Sequence, residues 1–268
     1  MDLERLKEEL MKPGRKVAAV ALTHAPTNGG MVSNAEAVGE LLSSVSDPPL
    51  YLLDACQTVG QVPLNVKLIG CDFLAGTSRK WLRGPRGVGF LYCSSLAMDR
   101  MLEPSVVDLH GGRWTIKEGQ HDYKVEGSAR RFEYWEGSVA NKIGFGRAVD
   151  ACLEIGVENI QSRVRNLSEL TRKLFEEEGL GKCLDVQDSD VPLSGICSFD
   201  CSPVGSAPYV VEELEKRGVS ATASGRSSTL ADATQRHLPE FMLRLSPHYF
   251  NTEDEVRKVI EILKEIKK

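Results

Sequence analysis

An acid, an amide and a lysine fall at spacings that suit one kind of chemistry. The apolar run Leu50-Tyr51-Leu52-Leu53 leads into Asp54-Ala55-Cys56-Gln57, and Lys80 follows in Gly76-Thr77-Ser78-Arg79-Lys80-Trp81. Alone, a strand-end acid caps a turn and a lysine is solvated. Together they meet the needs of a cofactor that carries a pyridine ring, an aldehyde and a phosphate. A buried Asp54 would hold the ring nitrogen's proton and make the ring an electron sink. Gln57 can donate to the phenolic oxygen. Arg79, Arg83 and Arg86 crowd Lys80, and nearby like charges favour the neutral amine that imine formation requires. Thr77 offers a hydroxyl, and Arg79 a fork that binds phosphate bidentately. The set points to pyridoxal 5'-phosphate.

The elements that would position these groups alternate between strand and helix. Leu3, Leu6, Leu10 and Met11 give residues 1–12 one apolar helical face, stopped by Pro13-Gly14. Val17 to Leu22 is a continuous apolar run, expected as a strand covered on both faces. It opens into Thr23-His24-Ala25-Pro26-Thr27-Asn28-Gly29-Gly30. A helix is predicted over 34–45, then strands over 50–53, 73–75 and 88–92. This order argues an α/β layer with a mainly parallel sheet, which binds ligands beyond the carboxyl ends of its strands. Thr27, Asn28, Asp54 and Gln57 fall at such ends. Residues 99–140 lack periodicity and read as an ordered loop region. Residues 141–178 read as helical with a break near Gly156. Strands at 196–199, 219–222 and 242–245, with helices at 208–217 and 254–267, complete a smaller α+β unit.

The chain has 268 residues and a formal charge of −5, which provides no basic field for nucleic acid. No apolar run reaches the roughly 18 residues that span a membrane. The charged opening Met1-Asp2-Leu3-Glu4-Arg5-Leu6 is unlike a signal peptide. Seven cysteines without a Cys-x-x-Cys pair suggest neither a zinc site nor a disulfide framework. They fit a cytoplasmic protein, or one of the mitochondrial matrix.

The stretch YLLDACQTVGQVPLNVKLIGCDFLAGTSRKWLRGPRGVGFLY at 51–92 resembles the core of class V aminotransferase-family enzymes of pyridoxal phosphate fold type I. ARRFEYWEGSVANKIGFGRAVD at 129–150 and LRLSPHYFNTEDEV at 243–256 extend the resemblance over the chain. The branch looks similar to isopenicillin-N-epimerase-like and ergothioneine-pathway C–S lyase-like proteins, with cysteine desulfurases more distant. The resemblance implies that Lys80 is the imine lysine and proton shuttle. It puts Asp54 on the pyridine nitrogen, Gln57 on the phenolic oxygen, and Thr77 and Arg79 on the phosphate. Thr27 or Asn28 would lie near the ring. Ser138 would reach a phosphate across a homodimer interface, and Arg244 would bind the substrate α-carboxylate. No metal is implied.

The implied architecture is a large cofactor domain with a mainly parallel sheet over 1–145. Linking helices and a small α+β domain would fill 146–268. Family members are longer at the N-terminus, so the large domain is expected to be partial. The implied reaction is C–S lysis, transamination or epimerisation of an amino acid or a sulfur-containing derivative. The alternative is a truncated, non-catalytic domain that serves as a subunit or interaction module. A desulfurase is disfavoured, because ASGRSSTLADATQRHLPEF at 223–241 lacks the cysteine that desulfurases carry in a mobile loop.

Overall fold

The computed structural model describes residues 2–100, 104–185, 191–230, 234 and 236–268. The chain divides into two compact units, one of residues 1–23, 34–56 and 64–150, the other of residues 24–33, 57–63 and 151–268.

The first unit carries strands β1 (Ala19–Thr23), β2 (Leu50–Asp54), β3 (Phe73–Thr77) and β4 (Gly89–Cys93), in that order across one sheet. β1, β2 and β3 run parallel, and β4 returns antiparallel to β3. Helix α1 (Leu3–Leu10) precedes the sheet and buries no residue. Helix α2 (Ala35–Ser43) begins where the Asn34 side chain accepts from the Ala37 N–H at 3.0 Å. Val38 and Leu42 of α2 are buried, as are Val20, Leu22, Tyr51 and Leu53 of the strands. The short helix α3 (Val66–Ile69) packs against α2 so closely that a Cβ on Gly39 would lie 1.9 Å from the Ile69 carbonyl oxygen. The next helix is α4 (Ser95–Arg100).

The strand read as covered on both faces alternates instead. Val20 and Leu22 are buried while Ala19, Ala21 and Thr23 are exposed. On β2, Leu52 and Asp54 are exposed on that same side. The continuous apolar run therefore overstated the burial, because an apolar run does not show what covers each face.

The stretch read as irregular contains a hairpin, β5 (Gly112–Lys117) and β6 (Gln120–Val125), followed by a 3-10 turn at Ala129–Phe132. Glu118 and Gly119 both have positive φ, +53° and +78°, as a two-residue hairpin turn of type I′ requires. Trp114 packs edge-on to its cross-strand partner Tyr123, with ring centroids 6.0 Å apart. Helix α5 (Val139–Ile155) ends at Gly156, whose φ is +86°, and α6 (Val157–Glu177) follows.

The second unit carries an antiparallel sheet of β7 (Lys182–Cys183), β8 (Cys197–Asp200), β9 (Thr222–Gly225) and β10 (Phe241–Leu245), ordered β7-β8-β10-β9. Helices α7 (Ala207–Lys216) and α8 (Glu253–Lys267) complete it. Thr252 and Glu255 close a capping box at the start of α8. Phe175 of α6 stacks on Phe199 of β8 at 3.9 Å within a core that includes Val210, Leu214, Leu243, Ile260 and Leu263. β9 lies three residues beyond the expected strand at 219–222.

One ion pair organises this core. Arg172 Nε meets Asp185 Oδ2 at 2.6 Å with both side chains almost wholly buried. The guanidinium also donates to the carbonyls of Ser194 and Ile196, each at 2.9 Å. Asp185 Oδ1 accepts from the Ser198 N–H at 3.0 Å. Burial pushes the Asp185 carboxyl up against the pull of Arg172. Removing one partner strands a buried charge, so Asp185→Ala should cost about 3–5 kcal/mol of stability. Replacing both, as Arg172→Met with Asp185→Leu, should cost less than either single change. Urea unfolding measures this, and a loss below about 1 kcal/mol for Asp185→Ala would remove the pair's structural role.

A second prediction concerns pH. His24 is buried, its Nδ1 lies 2.9 Å from Thr58 Oγ1, and burial lowers its pKa to about 4. Its folded pKa lies below the unfolded value of about 6.5, so the unfolded chain binds the extra proton. The stability held by neutral His24 is complete above about pH 6.5 and is lost as pH falls toward 4, to a limit of roughly 3 kcal/mol. His24→Gln should flatten the stability curve in that window, and an unchanged slope would exclude His24 as its source.

Candidate active site

In the first unit the candidate groups collect at the carboxyl ends of β2 and β3. Asp54 is the last residue of β2, paired with Ala75 on β3. Its Oδ1 accepts from the Cys56 N–H at 2.9 Å. The carboxylate is exposed, not buried as its proposed task would favour, because it projects from the same open face as Leu52. The Ala55 N–H donates to Ala75 O at 2.9 Å and ties the exit of β2 to β3.

Thr77 ends β3 opposite Gly89. The loop from Ser78 to Val88 then carries Arg79 and Lys80. It is pinned from within: the Arg83 N–H donates to Lys80 O at 2.9 Å, the Gly84 N–H to Ser78 O at 2.7 Å, and the Ser78 N–H to Val88 O at 3.2 Å. Ser78 Oγ also donates to the Pro85 carbonyl. Arg83 takes φ +57°, a strained value for a side-chain-bearing residue. Trp81 and Leu82 are buried and anchor the loop, leaving Arg79 exposed and Lys80 half-buried. Ser138 lies just before α5, and its Oγ accepts from the Asn141 N–H at 3.2 Å. Its hydroxyl hydrogen is still available to an acceptor.

Sequence reasoning passed over Cys56. The thiol is half-buried and lies in the field of Asp54, Arg79 and Lys80. Burial, then its hydrogen bond to Asp54, push it up to about 11. Burial also raises the thiols of Cys71 and Cys201 to about 11, and those of Cys93 and Cys197 upward. These sulfurs are protonated thiols near neutral pH, the weaker nucleophilic form.

The second unit holds Thr27, Asn28, Gln57 and Arg244. The Arg172–Asp185 pair reaches the 27–30 loop through two contacts. The Gly29 N–H donates to Ser198 Oγ at 3.0 Å, and the Ser194 N–H to Gly30 O at 2.7 Å. Gly30 has φ +61°, and a Cβ there would lie 2.6 Å from the Ile196 carbonyl oxygen. Asn28 is 1% exposed; its Nδ2 donates to Gly225 O at 3.2 Å and Thr229 Oγ1 at 3.3 Å. Arg244 on β10 donates from Nη1 to Thr27 O at 3.4 Å, and burial pushes its pKa down. Gln57 is half-buried, and its carbonyl accepts from Gln61 Nε2 at 2.5 Å.

Among the described residues, Asn28 Oδ1 and Arg244 Nε are buried polar atoms without a hydrogen-bond partner. Such atoms are rare because each costs its desolvation. An unpaired guanidinium nitrogen suits a carboxylate. The first unit's amine, carboxylate, hydroxyl and guanidinium suit the aldehyde, ring nitrogen and phosphate of the cofactor. Residues 231–233 and 235 of the 223–241 stretch lie outside the described residues. Among those described, no cluster of potential metal ligands occurs and no helix is long and apolar enough to cross a membrane.

The comparisons with known proteins point to one family. A probable cysteine desulfurase of Methanothermobacter thermautotrophicus is 30% identical over 92% of this chain and 60% of its own length. A probable hercynylcysteine sulfoxide lyase of Mycobacterium tuberculosis is 26% identical over 91% of the chain and 56% of its own. An isopenicillin N epimerase of Streptomyces clavuligerus is also 26% identical, over 79% and 51%. The desulfurase-named relative thus has the higher identity. The chain spans about three fifths of the length of the first two relatives. The apo structure of a cysteine desulfurase from Thermococcus onnurineus superimposes with a TM-score of 0.86 at 22% identity, covering 99% of this chain and 62% of that one. This likeness establishes fold type I of the pyridoxal phosphate enzymes. Residues 1–259 match the aminotransferase class-V family, a family of pyridoxal phosphate proteins, and the chain belongs to it.

Proposed function

We propose that this chain carries the lysine and substrate-arginine machinery of a pyridoxal phosphate enzyme acting on an amino acid or a sulfur-containing amino-acid derivative. The observation that supports it most directly is the pinned Ser78–Val88 loop, which presents Lys80 beside Asp54, Cys56 and Arg79. When bound, the cofactor supplies an electron sink for negative charge at the substrate α-carbon.

In the first unit, Lys80 holds the aldehyde carbon and moves the α-proton. Asp54 holds the proton of the ring nitrogen. Thr77 and Arg79 hold the phosphate, and Ser138 of a second copy adds a hydroxyl in a homodimer. In the second unit, Gln57 donates to the phenolic oxygen and the Thr27–Asn28 loop supports the ring side of the site. Arg244 binds the α-carboxylate. C–S lysis, transamination and epimerisation all begin with removal of the same proton, so these residues serve each of them. The seven cysteines, with no Cys-x-x-Cys pair, fit the reducing cytoplasm.

Persulfide chemistry is the less favoured member of this set, despite the desulfurase-named relatives. It needs a thiolate, the described thiols with shifted values are all raised, and the 223–241 stretch has no cysteine. A second reading is a non-catalytic class V domain that acts as a subunit or interaction module. The exposure of Asp54 and of the β1–β2 face around it favours that reading.

Adding pyridoxal phosphate should produce an imine absorption band, and borohydride reduction with peptide mapping should place the label on Lys80. A label on another lysine would reject the assignment, and no band at any cofactor concentration would favour the non-catalytic domain. Asp54→Asn should leave the band but slow turnover of any accepted substrate by orders of magnitude, since an amide cannot hold the ring proton as a carboxylate does. Unchanged turnover would reduce Asp54 to a turn-forming residue.

A further inference from the structure

The second unit holds a cavity of about 420 Å³ that none of the candidate site residues lines. It lies between the end of α7, the exit of β10 and the first turns of α8. The backbone fixes its margins. α7 closes in a Schellman turn: the Val219 N–H donates to Leu214 O at 2.9 Å, the Gly218 N–H to Glu215 O at 3.0 Å, and Gly218 takes φ +76°. The turn packs Val219 against the core and leaves the exposed Arg217 lining the cavity. On the α8 side, Glu255 Oε2 accepts from the Thr252 N–H at 2.8 Å and from Asn251 Nδ2 at 3.2 Å, so the helix starts in a defined place. The wall between is apolar: Leu245, Val256 and Ile260 are buried and Val259 is half-buried.

The charged groups of the lining differ in how far they are committed. Arg217 gives Nη1 to Glu213, at 2.7 Å to the carbonyl and 2.6 Å to Oε2, and keeps Nε and Nη2. Lys258 makes no hydrogen bond or ion pair among the described residues. The Glu255 carboxylate in its field is already engaged in the helix cap. Two lining cations against one lining carboxylate leave one positive charge beside an apolar wall. We propose that this cavity binds a monocarboxylate with an aliphatic body. The carboxylate would accept from the spare Arg217 N–H groups and pair with the Lys258 ammonium. The aliphatic body would displace water from Leu245, Val256, Val259 and Ile260. A single negative charge matches the single excess positive one, whereas a doubly charged phosphate would meet the carboxylates of Glu213 and Glu255 uncompensated. The volume falls in the range of roughly 300–1,000 Å³ typical of small-molecule sites. This is a second site, apart from Arg244. Neighbouring strand residues face opposite sides, so Leu245 joins the core with Ile260 while Arg244 reaches the Thr27 carbonyl. The proposal does not depend on the pyridoxal phosphate reading.

The test uses the full chain without cofactor and three probes: hexanoate, 1-hexanol and acetate. Dissociation constants come from ligand-observed NMR. Hexanoate should bind about tenfold more tightly than 1-hexanol, which lacks the charge. It should exceed acetate, which lacks the chain, by about tenfold or more. Arg217→Gln and Lys258→Gln should each weaken hexanoate about fivefold and leave 1-hexanol unchanged. Both side chains are exposed, so the fold tolerates these changes. Ser220 is exposed and lines the cavity, and Ser220→Trp should fill the space and weaken both six-carbon probes. Arg244→Gln should leave hexanoate affinity as it is. No binding of hexanoate, equal affinity for hexanoate and 1-hexanol, or full affinity in the chain carrying both Arg217→Gln and Lys258→Gln overturns the proposal. Loss of hexanoate in Arg244→Gln, with the Arg217 and Lys258 variants unaffected, would move the carboxylate to Arg244 and overturn it equally.

Discussion

The 2.6 Å contact between Arg172 and Asp185 is the constraint from which much of the second unit follows. A guanidinium and a carboxylate this deeply buried persist only when their remaining hydrogen-bonding capacity is used. The structure uses it on the chain itself: Arg172 takes two carbonyls from the segment entering β8, and Asp185 takes the N–H of Ser198. That segment in turn holds Gly29 and Gly30 through Ser198 and Ser194. An electrostatic debt in the core is therefore settled by fixing the loop that carries Thr27 and Asn28. The loop of these candidate residues is held by a pair that touches neither of them directly.

The first unit solves a related problem by other means. Lys80 lies on a connection between antiparallel strands, where a loop of this length would otherwise be mobile. Three backbone hydrogen bonds, two buried apolar anchors and two residues with positive φ, Arg83 and Gly87, hold it. Strain at Arg83 is offset by the burial of Trp81 and Leu82, which neighbour Lys80 directly. A loop lysine gains the definition of a framework residue in this way.

Much of this was legible in the residues. The strands before Asp54 and Lys80, the break at Gly156 and the closing helix all follow from local apolar periodicity and turn formers. The β5–β6 hairpin was legible in principle, since Trp114 and Ile116 alternate with polar residues up to Glu118-Gly119. Its aromatics are exposed, however, and alternation without a buried face is a weak signal. The strand at 222–225 was misplaced because Val219 and Ala221 pack against the core from outside the sheet. The openness of the β1–β2 face could not be read, because an apolar run does not reveal what covers it. Nor could the pairing of Arg172 with Asp185, or the unpaired atoms of Asn28 and Arg244, which exist only once distant segments meet.

The burial of Trp81 has an optical consequence. The chain has three tryptophans; Trp114 and Trp135 are 75% and 57% exposed, while Trp81 is 6% exposed. A water-borne quencher such as iodide reaches the two exposed indoles first. The residual fluorescence then comes from the indole adjoining Lys80, and its blue-shifted emission becomes a reporter of that loop alone.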